Sequence, residues 1–214
     1  MRVLFYNLVK YFFLICLKLY NGFRIRGKEN IPKVDKVIVI ANHCSNLDPI
    51  VAGAAFPERL RYLAKSELFS NPFFGFLIKA LGAIPVSKES NQSAGSALRS
   101  FLTLLDRGEN ILLFPEGQRS FDGKVSSFQG GAALIAEKTG IPVVPAYIHG
   151  THEAMPRGSS MVKPARIEIV FGKTVYPAEL CGGLSRKEAR QLLLETLEEK
   201  VKTLERTFSD RANR

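Results

Sequence analysis

The chain has 214 residues, 46% of them hydrophobic and 23% charged, a composition that supports one ordinary folded domain and excludes wholesale disorder. Its formal net charge is +10, and residues 1–65 hold seven of these charges beside the most apolar stretch of the sequence. A basic flank next to an apolar segment favours an anionic membrane surface as partner. The sequence carries no zinc-finger, basic-zipper or RNA-recognition pattern, so nucleic acid is not expected as a partner.

The three cysteines, Cys16, Cys44 and Cys181, are widely spaced and odd in number. This pattern predicts neither a disulfide framework nor a zinc site, and it favours a reducing, cytoplasmic setting. Cys44 directly follows His43, which raises the question of a nucleophile, but residues adjacent in sequence need not point at each other. A small buried cysteine is the favoured interpretation.

Residues 3–20 are almost continuously apolar and predict a helix. On a helical projection Asn7, Lys10, Lys18 and Asn21 share one narrow stripe, while the rest of the circumference is aliphatic or aromatic. We therefore expect an amphipathic helix in a membrane interface, with the polar stripe toward water and the broad face among acyl chains. A membrane-spanning helix and a helix of a soluble core are the alternatives. A cleaved signal peptide is disfavoured because no small-residue cleavage site follows.

Short strands alternate with helices from residue 23 onward. Residues 23–32 predict a short strand and a turn, and the further predicted strands are 37–41, 60–64, 82–87, 111–114, 141–148 and 166–171. The predicted helices are 49–56, 72–80, 92–107, 130–138 and a last helix that begins at a capping box of Ser185 and Glu188. This order predicts a single α/β domain over residues 23–214, with a mixed central sheet flanked by helices, preceded by a membrane-associating helix in residues 1–22.

Two segments within this domain carry additional expectations. The strand 82–87 contains Pro85, so we expect it to be irregular or near an edge of the sheet. The helix 72–80 is more apolar than one buried face requires, so it lines an acyl-chain slot, dips into the membrane interface or belongs to the ordinary core.

Two polar loops each follow a short buried strand, one at residues 42–48 and one at residues 115–120. A tight turn can bring His43 and Asp48, five residues apart, within hydrogen-bond reach of each other. Such a pair is a general base with its orienting carboxylate. Loops at the same end of an α/β sheet can line one pocket, so both loops are expected to meet there.

The second loop is suited to an anion. The guanidinium of Arg119 can donate two parallel hydrogen bonds to a phosphate or carboxylate, although a surface salt bridge is the simpler interpretation. Gly117 permits a backbone conformation in which amides can face an anion. The absence of a Gly-x-Ser-x-Gly elbow and of a phosphate loop in the sequence disfavours serine hydrolases and P-loop enzymes.

Four blocks, spanning about residues 42–145, resemble the glycerolipid acyltransferases of the 1-acyl-glycerol-3-phosphate acyltransferase type. The first block, Asn-His-x4-Asp, is matched by Asn42, His43 and Asp48. The second is matched by Lys65, Glu67, Leu68, Pro72, Gly75, Gly82 and Ile84. The third is matched by Phe114, Pro115, Glu116, Gly117, Arg119 and Ser120, and the fourth by the strand Ile141, Pro142, Val143, Val144 and Pro145.

The resemblance implies transfer of a fatty acyl group from acyl-CoA or acyl carrier protein to a hydroxyl of a lysolipid, without a cofactor. His43 would be the general base and Asp48 its orienting carboxylate, as in a Ser-His-Asp triad but with no enzyme nucleophile. The resemblance also implies a site for the acceptor's phosphate, formed by Lys65, Lys88, Glu116, Gly117 and Arg119. The expected location is peripheral or monotopic on the cytoplasmic face of a membrane.

The chain departs from the family pattern at two positions in the acceptor region. Lys88 stands where arginine is usual, which keeps the charge but loses the planar fork, and Gln118 replaces a threonine. Acylation of another lysolipid, such as a lyso-ornithine lipid, is therefore an alternative, and a non-catalytic lipid-binding protein is a further one. His149 and His152 are expected to be polar loop residues, not metal ligands, because no third ligand is evident.

Overall fold

The computed structural model describes residues 2–86, 94–159 and 161–212. The strands in these ranges are β1 (Arg24–Arg26), β2 (Ile38–Ala41), β3 (Leu60–Lys65), β4 (Ala83–Val86), β5 (Asn110–Leu113), β6 (Val143–His149) and β7 (Glu168–Phe171). The α-helices are α1 (Arg2–Asn21), α2 (Asp48–Ala55), α3 (Pro72–Ala80), α4 (Ala94–Asp106), α5 (Gly131–Thr139), α6 (Thr151–Ala154), α7 (Pro177–Leu180) and α8 (Arg186–Ala212).

The strands form one mixed sheet in the order β1-β7-β6-β2-β5-β3-β4. Every neighbouring pair is parallel except β6 and β7, which are antiparallel. The predicted α/β domain with helices on both faces of a mixed sheet is confirmed, and so is the edge position of the strand that contains Pro85. The short helices α6 and α7 were not predicted, because each spans only four residues and leaves no periodic pattern.

The central strand β2 is apolar at every position because it is covered on both faces. Alternate side chains separate into two layers. Val39 and Ala41 join a core with α1, α2 and α3, whereas Ile38 and Ile40 join a core with α4, α5 and α8. Covered in this way, β2 is a rigid support for the loop that follows it.

The sheet opens between β3 and β5 at its carboxyl end. These strands pair only through Leu60 with Asn110 and Arg61 with Ile111. Beyond that point β3 continues against β4 as far as Lys65, while β5 continues against β2 as far as Leu113. The separation leaves a gap between two strands of one sheet, at the end where the polar loops lie.

The helix α1 packs against the domain through a face that includes part of the predicted polar stripe. Lys10 donates hydrogen bonds from Nζ to the carbonyl oxygens of Phe56 and Pro57, and the side-chain amide of Asn21 donates to two backbone carbonyls. The expectation that the whole stripe faces water is therefore wrong for Lys10 and Asn21, which are buried, and right for Asn7 and Lys18, which are exposed. The carbonyl oxygens that follow α2 accept hydrogen bonds from the Lys10 ammonium, and these bonds stabilise the buried charge.

The opposite face of α1 is apolar and exposed. Its members are Leu4, Phe5, Leu8, Tyr11, Phe12, Ile15, Leu19 and Tyr20. Phe76 of α3 extends this exposed face, and its ring lies 5.5 Å from that of Phe5. Across the parts of the chain that the structure describes, no helix has the length and apolarity that crossing a membrane requires.

Candidate functional site

The predicted contact between His43 and Asp48 is present. His43 lies in the loop after β2, and Asp48 is the first residue of α2, so the turn between them reverses the chain over five residues. His43 Nδ1 lies 2.8 Å from Asp48 Oδ2. Because an ionised carboxylate only accepts, Nδ1 is the ring nitrogen that carries the proton, and Nε2 is left as the basic nitrogen.

Asp48 is fully buried and well supplied with hydrogen-bond donors. The backbone N–H groups of Cys44 and Ser45 each donate to Oδ2 at 2.7 Å, and the hydroxyl of Thr151 donates to Oδ1 at 2.5 Å. The position at the N-terminus of α2 adds to the stabilisation of a negative charge. These donors offset the cost of burying the carboxylate and keep it an acceptor for the imidazole.

The imidazole of His43 is held by a second contact. Its ring stacks on Phe114, the residue that follows β5, with a centroid separation of 4.1 Å and an interplanar angle of 18°. Only 20% of the His43 side chain is exposed. The ring is therefore fixed in the plane that the Asp48 hydrogen bond requires, before any substrate is present.

The carboxylate of Glu116 joins the two loops and does not line the cavity between β3 and β5. Oε1 accepts the backbone N–H of His43 at 2.7 Å, and Oε2 accepts the N–H and the hydroxyl of Ser126. Burial raises the pKa of the Glu116 carboxyl, and the hydrogen bonds from Ser126 and His43 oppose that rise. The sequence places Glu116 among the phosphate-binding residues; in the structure its carboxylate instead anchors the His43 backbone, and a carboxylate would repel a phosphate.

Gly117 supplies a turn, not an amide for an anion. Its φ is +74°, and its own N–H donates to Phe114 O at 3.0 Å. A Cβ at this position would lie 2.4 Å from the side-chain nitrogen of Gln129, so glycine is needed for space as well as for conformation. The next loop contact, from Ser120 N to His43 O at 2.8 Å, connects the turn to the His43 backbone.

A slot of about 420 Å³ occupies the gap between β3 and β5 and ends at His43. Its apolar wall consists of Ile50, Tyr62, Leu63, Ala64, Leu68, Ile78, Val86, Ala97, Phe101, Leu112, Leu113 and Phe114. Ile78 brings α3 into this wall, as the acyl-slot interpretation of residues 72–80 requires. Such a wall suits a hydrocarbon chain because the apolar surfaces of the wall and of the chain are both removed from water when they come into contact.

The polar end of the slot is cationic. Lys65, Arg119 and Arg157 line it, and no aspartate or glutamate is among the described residues that line it. Of the residues whose placement the structure gives, none forms an ion pair with these three side chains. Gln118 also lines the slot, whereas Lys88 lies outside the described residues. Three cations beside His43, without an acidic partner in the described part of the chain, favour an anionic ligand.

Sequence reasoning missed Thr151, Ser126 and Arg157. Thr151 begins α6, which follows β6, and it reaches Asp48 because β6 lies next to β2 in the sheet. Gly150, which precedes it at φ +85°, has no room for a side chain, since a Cβ would lie 1.9 Å from Arg166 O. A glycine directly after a strand was the one sequence signal that a third loop enters the site.

The remaining candidates play no chemical part in this arrangement. The thiol of Cys44 is buried beside Thr151, and burial raises its pKa far above the usual range, so it is not a nucleophile. His149 packs against the ring of Phe208, with the centroids 4.2 Å apart. Within the described residues, no group of three or more histidine, cysteine or acidic side chains is arranged to hold a metal ion.

The geometry defines a class of protein: an α/β protein that holds an imidazole, oriented by a buried carboxylate, between an apolar slot and a cluster of cations. Such a site suits an amphipathic, anionic substrate. The chain matches the family model described as Acyltransferase over residues 22–149, which is more than half of its length, and it belongs to that family.

Individual relatives agree with this assignment. The chain is similar to the chloroplastic 1-acyl-sn-glycerol-3-phosphate acyltransferase of Brassica napus, with 32% identity over 81% of this chain and 50% of that protein. It is also similar to the 1-acyl-sn-glycerol-3-phosphate acyltransferase of Bacillus subtilis, with 29% identity over 89% of this chain and 92% of that protein. The chain spans about half the length of its plant and algal relatives.

Among solved structures, the chain resembles the 1-acyl-sn-glycerophosphate (LPA) acyltransferase PlsC from Thermotoga maritima. The TM-score is 0.75 at 31% sequence identity, and the match covers 94% of this chain and 79% of that chain. The family resemblance that the four sequence blocks indicate is thereby confirmed.

Proposed function

We propose that this chain transfers a fatty acyl group from a thioester to the sn-2 hydroxyl of 1-acyl-glycerol-3-phosphate and so forms phosphatidic acid for phospholipid synthesis. The donor is acyl-CoA or acyl carrier protein, and the reaction needs no cofactor. One observation carries the proposal: His43 lies where an apolar slot meets three cations that have no acidic partner among the described residues. The names of the relatives from Brassica napus and Bacillus subtilis agree with the reaction.

The first chemical step is general-base catalysis. Nε2 of His43 takes the proton of the acceptor hydroxyl as its oxygen attacks the thioester carbonyl carbon, which becomes tetrahedral and carries a negative oxygen. Asp48, 2.8 Å from Nδ1, stabilises the imidazolium that forms. Because the acceptor hydroxyl attacks directly, the reaction has no acyl-enzyme intermediate, and the raised pKa of Cys44 is no obstacle to it.

The second step expels the thiol. The tetrahedral intermediate collapses, the carbon–sulfur bond breaks, and the imidazolium returns its proton to the departing sulfur. The products are an ester and a free thiol, and His43 is neutral again. The proton thus moves from the acceptor oxygen to the donor sulfur through a single nitrogen, whose position the Phe114 stack and the Glu116 hydrogen bond to the His43 backbone maintain.

We propose that α1 brings this site to the membrane while residues 23–214 carry the chemistry. The exposed apolar face of α1, continued by Phe76, suits insertion among acyl chains, and the basic excess of residues 1–65 suits an anionic leaflet such as the cytoplasmic one. Deletion of residues 1–20 should release the protein from vesicles that contain anionic lipid. Because that deletion also removes the buried Lys10, the matched test replaces Leu8 and Phe12 by serine, which changes only exposed positions.

The activity test uses the purified full chain in mixed micelles with acyl-CoA or acyl carrier protein and a panel of lysolipids. His43→Ala should reduce kcat by about 10²- to 10⁴-fold with the acceptor that the wild type prefers. Thioester-dependent acylation that disappears in this variant supports the proposal. Equal inertness of wild type and variant with every donor and acceptor would overturn catalysis and favour a lipid-binding protein.

A second acceptor is favoured by one observation at the site. Gln118 lines the slot beside Arg119, where the family pattern has a smaller threonine. A longer amide side chain there suits a headgroup with its own polar groups, such as that of a lyso-ornithine lipid. The lysolipid panel separates the two candidates, and a preference for a phosphate-free acceptor that reverts in Gln118→Thr would support the second one.

A further inference from the structure

Arg157 stands beside Arg119 at the mouth of the slot, although it comes from a different part of the chain. Arg119 lies in the loop after β5, and Arg157 lies in the segment that follows α6. Both line the same cavity. Arg157 Nη1 donates to the backbone carbonyl of Arg119 at 3.4 Å, so the two loops touch at the arginines themselves.

The guanidinium of Arg157 has a support but no counter-ion. Its Cζ lies 4.2 Å from the centroid of the Phe121 ring, and 75% of the Phe121 surface is exposed. A planar guanidinium on an aromatic face retains its outward N–H donors. Among the described residues no carboxylate forms an ion pair with Arg157, so these donors face the cavity and solvent.

Arg119 and Arg157 line the same cavity, and two guanidinium groups in one cavity repel each other unless an anion lies between them. Among the described residues that line the cavity none is acidic, and the other cation at this end is Lys65. A phosphate monoester has three terminal oxygens and a charge near −2 at neutral pH, and it can accept bidentate hydrogen bonds from more than one guanidinium. The pair is therefore arranged for a ligand with more charge than a single carboxylate.

We propose that Arg157 and Arg119 together bind the phosphate monoester of the acceptor lysolipid, and that Phe121 positions the Arg157 guanidinium. This inference rests on the proposed function and deepens it. The thioester donor also carries phosphate groups, so the same chemistry has a second source. Continuity of the cationic end with the apolar slot favours the acceptor, whose phosphate and acyl chain belong to one small molecule.

The test compares wild type with Arg157→Gln and Arg157→Lys as full-length proteins. Arg157→Gln should raise the KM for 1-acyl-glycerol-3-phosphate by about 10- to 100-fold, because it removes charge-assisted hydrogen bonds, while kcat changes little. The inhibition constant of glycerol 3-phosphate against the acceptor should rise by a similar factor. Arg157→Lys keeps the charge but not the fork, so we expect an intermediate loss.

Two controls accompany these variants. Lys187→Gln removes one positive charge from the exposed first turn of α8, away from the slot, and should behave as wild type. Phe121→Leu removes the ring beneath Arg157 and should raise the acceptor KM by a few-fold, an effect that disappears when Arg157 is already glutamine. Melting temperatures of all variants establish that the fold is retained.

The outcomes separate three cases. A raised acceptor KM and glycerol 3-phosphate inhibition constant, with an unchanged KM for the thioester, support the proposal. A raised thioester KM and CoA inhibition constant with an unchanged acceptor KM would assign the phosphate to the donor and overturn it. If Arg119→Gln impairs acceptor binding and Arg157→Gln does not, this inference fails alone; a wild type that acylates no lysolipid sinks the proposed function instead.

Discussion

Asp48 and the cationic end of the slot differ in whether their charged groups have partners within the protein. Asp48 is fully buried and receives hydrogen bonds from His43, Cys44, Ser45 and Thr151. The cations at the slot, Lys65, Arg119 and Arg157, have no acidic partner among the described residues. The carboxylate is complete without a substrate, whereas the cations are not. The difference separates a group that must keep its geometry throughout the reaction from groups that must accept a ligand.

This difference has an energetic consequence. A buried carboxylate without its donors costs several kcal/mol, so the residues around Asp48 support folding as well as chemistry. Cations that repel each other destabilise the fold slightly and are useful only when an anionic ligand is bound. Substitutions at Asp48 should therefore reduce stability and turnover together, while substitutions at the cations should reduce acceptor binding and leave stability unchanged or improved.

The largest effect is expected for Asp48→Asn. An amide cannot accept from His43, Cys44, Ser45 and Thr151 as a carboxylate does, so the imidazole loses both its orientation and the stabilisation of its charged form. We expect kcat to fall by about 10³- to 10⁴-fold and the free energy of unfolding by at least about 2 kcal/mol. Steady-state kinetics and urea unfolding measure the two effects. Asp106→Asn, at an exposed position, is the matched control.

A tenfold or larger loss of kcat is expected for Thr151→Val, which preserves shape and removes the hydroxyl. The bond to Asp48 is charge-assisted and buried, so its removal should cost about 1–3 kcal/mol of unfolding free energy. Thr151→Ser retains the hydroxyl and should recover most of the activity. If valine and serine variants have equal activity, the hydroxyl does not support Asp48 and the threonine serves only packing.

In contrast to Asp48→Asn, Arg119→Gln should weaken acceptor binding without reducing the free energy of unfolding. The acceptor KM should rise by about tenfold, because a charge-assisted contact to phosphate is lost. The unfolding free energy should stay within about 0.5 kcal/mol of wild type or increase, since Arg119 has no ion-pair partner among the residues that the structure describes. A loss of stability comparable to that of Asp48→Asn would contradict the view that these cations are unpaired before substrate binds.

Much of this site was predictable because its signals are local. The apolar run of β2, the spacing of His43 and Asp48, and the capping box at Ser185 and Glu188 each depend on residues close in sequence. The structure reproduces each of them. The placement of loops at one end of an α/β sheet added the expectation that the two loops meet, and the hydrogen bond from Ser120 N to His43 O shows that they do.

The parts that sequence could not supply depend on which strands are neighbours. Thr151 reaches Asp48 only because β6 lies beside β2, and Arg157 reaches Arg119 only because their loops leave the same end of the sheet. Glu116 was assigned to the phosphate because its position in a motif does not reveal where its carboxylate points. A helical projection likewise gives the angle of each residue on α1 but not what lies opposite, which is why Lys10 was expected in water.

Lys10 is a third kind of charge, buried and satisfied by carbonyls far from the chemistry, and Lys10→Met should have the smallest effect on turnover. Burial lowers the pKa of its ammonium from the ordinary 10.5 to about 8. Between these values the unfolded chain holds a proton that the folded chain has released, so this group makes stability rise with pH. The unfolding free energy of wild type minus that of Lys10→Met should therefore increase from pH 7.5 to pH 10, as urea unfolding at each pH would measure. Lys18→Met, at an exposed position on the same helix, should show no such change with pH. An equal response of both variants would mean that Lys10 is not buried against the end of α2.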